Sequence, residues 1–384
     1  MEETKDILDP WIDYCVCPGS VSRRMFILSL LAAIASACSG PTRSASTKRE
    51  RDLLDKAAAL SERVCVDLHA HAGPFAGNFP FPESARDRAA VLTHMQAGKL
   101  DAAVFSLTTA GPVIRRDPQT ERAYQYREPE PGELFHVAKS RFEKARSQIE
   151  GMIALSPSAV VEFKKKEMPC AILSHEGADA LEGNLSRVKL FYDWGLRVLQ
   201  LLHYRINELG DNQTEPPKHR GLTTFGRDVV KEMNHLGMII DVAHAHSQTV
   251  HAILAESRHP VIDSHTRPAA RFNYLRARSD GDLQAIAQKG GVIGMWPLAR
   301  EEMGETFDDF MRDIDYVKAL VGIEHIGIGT DLNGVRTRTK IRTHKEFALI
   351  TAGLLARSYS ESEVAKITGG NFMRIFRDVA ENRR

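Results

Sequence analysis

The chain has 384 residues, 43% of them hydrophobic and 26% charged, enough to bury one large core or two small ones. A formal net charge of +1 removes the electrostatic case for a nucleic-acid partner. The absence of heptads, solenoid periods and low-complexity tracts excludes coiled coils and repeat arrays.

The first element is a leader. Ser22-Arg23-Arg24-Met25-Phe26-Ile27-Leu28 opens an apolar stretch ending at Ala37, too short to span a bilayer and suited to the apolar core of an export signal. The paired arginines resemble a twin-arginine signal, which carries folded proteins. Ala35-Ser36-Ala37 forms a small-x-small cleavage site, and with Cys38 it also resembles a lipoprotein box, so Cys38 is a candidate lipid anchor to a membrane. The expected organisation is an export signal over 1–37, a Ser/Thr/Gly/Pro-rich tether over 38–50 and one folded domain over 51–384. Such a protein is exported, and either periplasmic or anchored on the outside of the cytoplasmic membrane. Cys15, Cys17 and Cys38 belong to the leader, while Cys65 and Cys170 flank core strands as small apolar residues; their spacing supports no Cys-based zinc site.

A charged amphipathic helix is predicted over 48–63. Apolar runs then alternate with helical patterns. The runs predict eight strands, over 64–69, 102–107, 171–175, 198–203, 238–244, 261–265, 292–295 and 326–331. They are nearly continuous in apolar character, as strands buried on both faces must be. Helices are predicted over 224–236, with Gly237 as the stop, over 280–288 and over 307–321. Eight such alternations predict an α/β fold, a (β/α)8 TIM-type barrel of the metal-dependent hydrolase kind, with a doubly wound open sheet as the alternative. Insertions over 112–131 and 207–220 follow strand C-termini, where a barrel places its substrate loops.

The chemistry lies at the strand ends. His69-Ala70-His71 closes the first run, and alternate strand residues share a face, so both imidazoles can hold one ion. Glu176, His203, His244, His265 and Asp331 close later runs. One buried histidine is commonly a satisfied core residue; six converging strand ends point to a metal-dependent hydrolase, in which divalent ions bring the pKa of water near 7. Glu176 is the candidate bridge between two ions. His69 and His71 would hold one, His244 and His265 the other, and neutral imidazole with carboxylate suits zinc. Asp331, in the run Gly327 to Gly334, is a candidate proton carrier, and His203 a candidate to polarise the scissile carbonyl or stabilise an oxyanion. His175 points to the opposite strand face and His246 lies past a strand end. His94, His136, His219, His235, His251, His259, His325 and His344 are expected to be structural.

Several segments together resemble the membrane dipeptidase (renal dipeptidase) family of zinc metallopeptidases, over about Val64 to Phe376. They are Asp67-Leu68-His69, Ser174-His175-Glu176-Gly177, Gly221-Leu222-Thr223 through Gly237, Asp241-Val242-Ala243-His244, Pro260-Val261-Ile262-Asp263-Ser264-His265, Gly327 to Gly334 and Gly369-Gly370-Asn371-Phe372. The resemblance implies a barrel with two zinc ions per subunit that cleaves dipeptides. It implies His69 and Glu176 on the first zinc, Glu176, His244 and His265 on the second, His203 and Asp331 at the substrate, and Arg276 on the substrate's C-terminal carboxylate. Arg278 is close enough in a gapped match to exchange with Arg276. The chain departs at His71, where the best-known members carry Asp, and at Ala277, where an Asn commonly follows the arginine.

The expected function is therefore zinc-dependent hydrolysis of a dipeptide by water activated at the metals. Two alternatives stand beside it: a related amidohydrolase acting on N-acyl amino acids, lactams or lactones, and a catalytically silent surface binding protein. The sequence leaves a homodimer open.

Overall fold

Short runs of Val, Ile, Leu and Ala, buried along their whole length, form the strands of the sheet. The computed structural model describes residues 63–71, 73, 88–119, 122–298, 305–334 and 341–383. The leader, the tether with Cys38, and all but the last residue of the helix expected over 48–63 lie outside the described residues.

In chain order the strands are β1 (Val66–Ala70), β2 (Ala102–Thr108), β3 (Ile114–Arg116), β4 (Ala123–Gln125), β5 (Cys170–Glu176), β6 (Leu196–Gln200), β7 (Ile239–Asp241), β8 (Ile262–Thr266), β9 (Val292–Met295) and β10 (Ile326–Ile328). Eight pair in parallel in the order β1-β2-β5-β6-β7-β8-β9-β10. β3 and β4 form an antiparallel hairpin inside the insertion over 112–131.

The two edges of this sheet meet. Asp331 N–H donates to His69 C=O at 2.8 Å, and His71 N–H donates to Leu332 C=O at 2.8 Å. Asp67 reinforces the seam, its carboxylate accepting the Thr330 N–H at 2.9 Å and the Thr330 hydroxyl at 2.6 Å. The sheet is thus a nearly closed barrel, and the open-sheet alternative is set aside.

Local sequence explains the helices around it. Thr223 caps Thr224–Leu236 by accepting the Gly226 N–H, and Gly237 ends it at a φ of 72°, a conformation that glycine adopts freely. Thr306 and Asp309 form a reciprocal capping box at the start of Phe307–Val321. These two helices and Asp280–Gln288 have the predicted bounds.

The barrel interior is sealed at the N-terminal end of the strands. Val66, Val104, Ile172, Val198, Ile239, Ile262 and Val292 pack there against Phe372, Met373, Phe376 and Val379 of the C-terminal helix Asn371–Glu381. The polar residues collect at the opposite end.

Three strands end sooner than predicted. β6 stops at Gln200, β7 at Asp241 and β10 at Ile328, so His203, His244 and Asp331 stand in the loops just beyond rather than on the strands. The reason is geometric: His244 and Asp331 have φ values of 64° and 50°, which a strand cannot accommodate.

Candidate metal centre and substrate end

Two β-bulges help to aim the candidate ligands. β1 pairs in register with β2 at Asp67↔Ala103 and again at Ala70↔Phe105, so β1 carries one extra residue between. Leu68 belongs to the inner core and yet His69, the next residue, faces the same interior. β8 repeats the device between Asp263 and Thr266, bringing both Ile262 and His265 inward.

Glu176, at the end of β5, stands at the centre. Its Oε1 lies 3.5 Å from His69 Nε2, 3.1 Å from His244 Nε2 and 3.7 Å from His265 Nε2, and its Oε2 lies 3.2 Å from His71 Nε2. His69 and His71 Nε2 are 3.1 Å apart, as are His244 and His265 Nε2 at 3.2 Å. A tetrahedral ion with bonds of about 2.0–2.1 Å separates its ligand atoms by about 3.3 Å. The two triads His69–His71–Glu176 and Glu176–His244–His265 have these spacings, and a third, His69–His265–Asp331, lies between them. The donor set, imidazole nitrogens around one carboxylate, fits zinc.

The surroundings prepare the nitrogens as ligands. His71 Nδ1 donates to the Ser106 carbonyl at 2.9 Å, which leaves Nε2 with its lone pair toward Glu176. His265 Nδ1 lies 2.9 Å from the Ser264 hydroxyl. Burial holds His203 down to about 4, and burial together with the Arg276 charge holds His244 well below the ordinary imidazole range. His265 is likewise held down, by burial and by the charges of His69 and Arg276. These three rings are held neutral, the state in which a ring nitrogen has a lone pair to offer a metal.

Burial acts on Glu176 and His69 in the opposite sense to the net effect. It would raise the Glu176 carboxyl, but the neighbouring histidines, His203 and His69 foremost, hold it well below the usual carboxylate range. It would lower His69, but the Glu176 charge and hydrogen bond push that imidazole up to about 9. Both shifts have one cause, the attraction between the Glu176 carboxylate and positive charge on the surrounding ring nitrogens. Asp331, buried beside His71 Nε2 at 3.5 Å, is raised by burial to about 6 despite that attraction.

His203 completes the rim, its Nε2 3.5 Å from Glu176 Oε2 and its ring centroid 4.6 Å from that of His244. Glycines make room: a Cβ at Gly177 would lie 2.7 Å from Asp179 Oδ2 and 2.8 Å from His203 Cβ, and one at Gly334 would run into the Asp331 carboxylate and the His71 ring.

The two arginines separate cleanly. Arg278 is fully engaged, with Nε donating to Asp263 at 2.8 Å and both terminal nitrogens donating to the carbonyls of Ala245 and Val242. Arg276 reaches the site instead. Its Nη2 donates to His265 Nε2 at 2.9 Å and its Nη1 to Gln213 Oε1 at 2.7 Å. It is only 2% exposed, yet no ion pair joins it to a carboxylate among the described residues.

The sequence reading overlooked four neighbours. Gln213 contacts Arg276; Trp296 packs edge-on against His265 and within 5.8 Å of the Arg276 guanidinium; Tyr204 packs against His203 with the rings tilted by 43°; and Asp241 is buried near His69, burial raising it to about 6. Asp241 opens the segment Asp241-Val242-Ala243-His244 but was given no role there; the other three stand in no motif, and Gln213 lies in the insertion over 207–220, which position alone flagged. His344 is buried against Asp67 at 3.1 Å, a structural role as expected. His175 faces away onto Phe191.

A family profile described as membrane dipeptidase (peptidase family M19) matches residues 86–384, a span that begins after His69 and His71. Dipeptidase aclJ of Aspergillus oryzae is 31% identical over 216 residues, 54% of this chain and 51% of that protein. Dipeptidase 3 of Homo sapiens is 30% identical over 225 residues, 55% of this chain and 45% of that protein. The chain thus spans about half the length of the curated relatives it matches. A metallo peptidase from Rhodobacter sphaeroides, solved with a phosphinate mimic of the dipeptide L-Ala-D-Ala, superposes with a TM-score of 0.69 at 18% identity, covering 83% of this chain and 99% of that one. The probable dipeptidase PvdM of Pseudomonas aeruginosa gives 0.70 at 21% identity, covering 86% and 99%. At these identities the likeness is one of fold.

Proposed function

Because the chain belongs to the membrane dipeptidase family of metallopeptidases, peptidase family M19, we propose that it hydrolyses the peptide bond of dipeptides with two zinc ions held around Glu176. The observation that carries the reading is the pairing of two zinc-spaced triads on one carboxylate with a buried arginine that lacks an anionic partner among the described residues. A buried charge without a counter-ion is costly. A substrate carboxylate supplies that counter-ion.

Bound divalent ions would polarise the scissile carbonyl and make water acidic enough to attack near neutral pH. His69, His71 and Glu176 would hold one, and Glu176, His244 and His265 the other. Asp331 takes the proton of the attacking water and returns it to the leaving amine nitrogen. His203, neutral, donates a ring N–H to the carbonyl oxygen as charge develops there. The lone pair of His265 Nε2 serves either Arg276 or a metal, so a loaded site leaves an Arg276 N–H for the substrate carboxylate. His71 in place of an anionic ligand makes the first triad less negative.

The test is chelator-sensitive amine release from L,L- and L,D-dipeptides, beside N-acyl amino acids, lactams and lactones. Glu176→Ala and Asp331→Ala should abolish turnover while far-UV circular dichroism stays unchanged; retained activity in either removes its assigned role. Cleavage of only the N-acyl, lactam or lactone compounds moves the function to that class of amidohydrolase. Two bound metals with no turnover leaves a binding protein.

We infer also that the leader exports the protein, with cleavage after Ala37 or lipidation at Cys38. Among the described residues no helix is long and apolar enough to cross a membrane. The mass of the mature chain from the membrane fraction decides: a lipid adduct on Cys38 supports the anchor, an intact leader refutes both routes.

A further inference from the structure

The loop after β6 carries a residue that touches both halves of the site. Its core is tied together by side-chain carbonyl and carboxylate oxygens. The buried Asp211 carboxylate accepts the N–H groups of Lys218 at 2.7 Å, His219 at 2.8 Å and Gly221 at 3.1 Å, and Asn212 Oδ1 accepts those of Thr214 at 3.1 Å and Glu215 at 3.0 Å. An antiparallel bridge joins Asn212 to Ala245. Gln213 projects from this platform with its main-chain N–H and both ends of its side-chain amide engaged. Its N–H donates to the carbonyl of His244 at 2.7 Å, its side-chain Nε2 donates to the carbonyl of Ala277 at 2.8 Å, and its Oε1 accepts from Arg276 Nη1 at 2.7 Å. One side chain therefore fixes the guanidinium and the backbone next to it, while its main chain braces the His244 loop.

The chemistry of the partner is the telling point. Other buried arginines near the barrel mouth have carboxylates: Arg278 has Asp263, Arg267 has Asp313 and Arg205 has Asp179. Arg276 has an amide. An amide oxygen accepts one N–H and orients the fork, yet leaves the positive charge uncancelled. A carboxylate at this position would form an internal ion pair and compete with any anion from outside.

We propose that Gln213 is the positioning residue that holds Arg276 in place as an unneutralised cation, and so sets the selectivity of the site for substrates ending in a free carboxylate. This rests on the reading of Arg276 above. It accounts for Ala277 as well. The carbonyl at Ala277, whose side chain is small and joins Phe272, Trp296 and Leu298, is held by Gln213 from outside, so the arginine's backbone is fixed without help from the neighbouring side chain.

The test compares zinc-loaded wild type, Gln213→Glu, Gln213→Ala and Arg276→Ala on L-Ala-L-Ala and on its C-terminal amide. kcat and KM are separated, and zinc per chain is measured for each protein. Gln213→Glu should raise KM for the free dipeptide at least tenfold, with kcat changed less than threefold, zinc content unchanged and the amide little affected. Gln213→Ala should raise KM for the free dipeptide by a smaller factor. A Gln213→Glu protein whose KM for the free dipeptide stays within twofold of wild type overturns the proposal, as does an equal loss of kcat on both compounds. The functional reading fails differently. It fails if wild type cleaves neither compound, or if Arg276→Ala loses nothing in its preference for the carboxylate; either result also removes the basis of the proposal. Discrimination lost in Arg276→Ala but kept in Gln213→Glu sinks the role of Gln213 alone.

Discussion

The histidines of the centre are held in different protonation states by their surroundings, and this has a measurable consequence. His203, His244 and His265 are held neutral by burial and neighbouring positive charge, whereas His69 is pushed up to about 9 by Glu176 against the effect of burial and so carries a proton at pH 7.5 when no metal is bound. A metal needs the neutral ring, so filling the site expels that proton. The sign follows: metal affinity rises with pH up to about 9 and falls as acid returns the proton to His69. Zinc titrated calorimetrically at pH 7.5, in buffers of different ionisation enthalpy, should show about one proton released per chain. A value near zero would mean that His69 is already neutral. The same scale shows why the candidate ligands were legible in the sequence and the arginine's setting was not. His69, His71, Glu176, His244 and His265 advertise themselves by residue type at the ends of apolar runs. Whether Arg276 or Arg278 faces the site depends on which of them meets Asp263, a contact between residues 15 apart that no local pattern encodes.

The strands and helices divide along the same line. Helices with a capping residue and a glycine stop were legible to the residue, because those signals act within one turn. The ends of β6, β7 and β10 were not, since the apolar runs continue past the last ladder hydrogen bond into loops, with positive φ at His244 after β7 and at Asp331 after β10. The bulges in β1 and β8 were invisible for a related reason: an extra residue shows only against the partner strand. The closing seam depends on such cross-strand chemistry. Thr330 donates its hydroxyl to Asp67 at 2.6 Å and accepts the N–H of Leu332 at 3.2 Å, all of it buried. Thr330→Val keeps the shape and removes both bonds, leaving that Asp67 oxygen with His344 alone. The expected loss is about 1–3 kcal/mol of unfolding free energy in urea. A loss below about 0.5 kcal/mol would show that the backbone bonds between β1 and the β10 loop close the barrel unaided.

The barrel keeps stability and chemistry at opposite ends. The C-terminal helix drives Phe372 and Phe376 into the N-terminal mouth, against the first inward residue of nearly every strand, while the polar centre occupies the other mouth. Parallel strands impose this polarity, because all eight present their C-termini on one face. The site can then carry neutral and charged groups that no apolar core would tolerate, provided the far end supplies the cohesion. Phe376 is fully buried in that plug. Phe376→Ala should remove about 3–5 kcal/mol of stability through the cavity it leaves. Zinc per chain and KM for a dipeptide, measured well below the unfolding temperature, should stay at wild-type values. A variant that is destabilised and has also lost metal would show that the two ends are coupled through the strands, and that the ligand geometry depends on the packing of the plug as well as on the bulges and loops beside it.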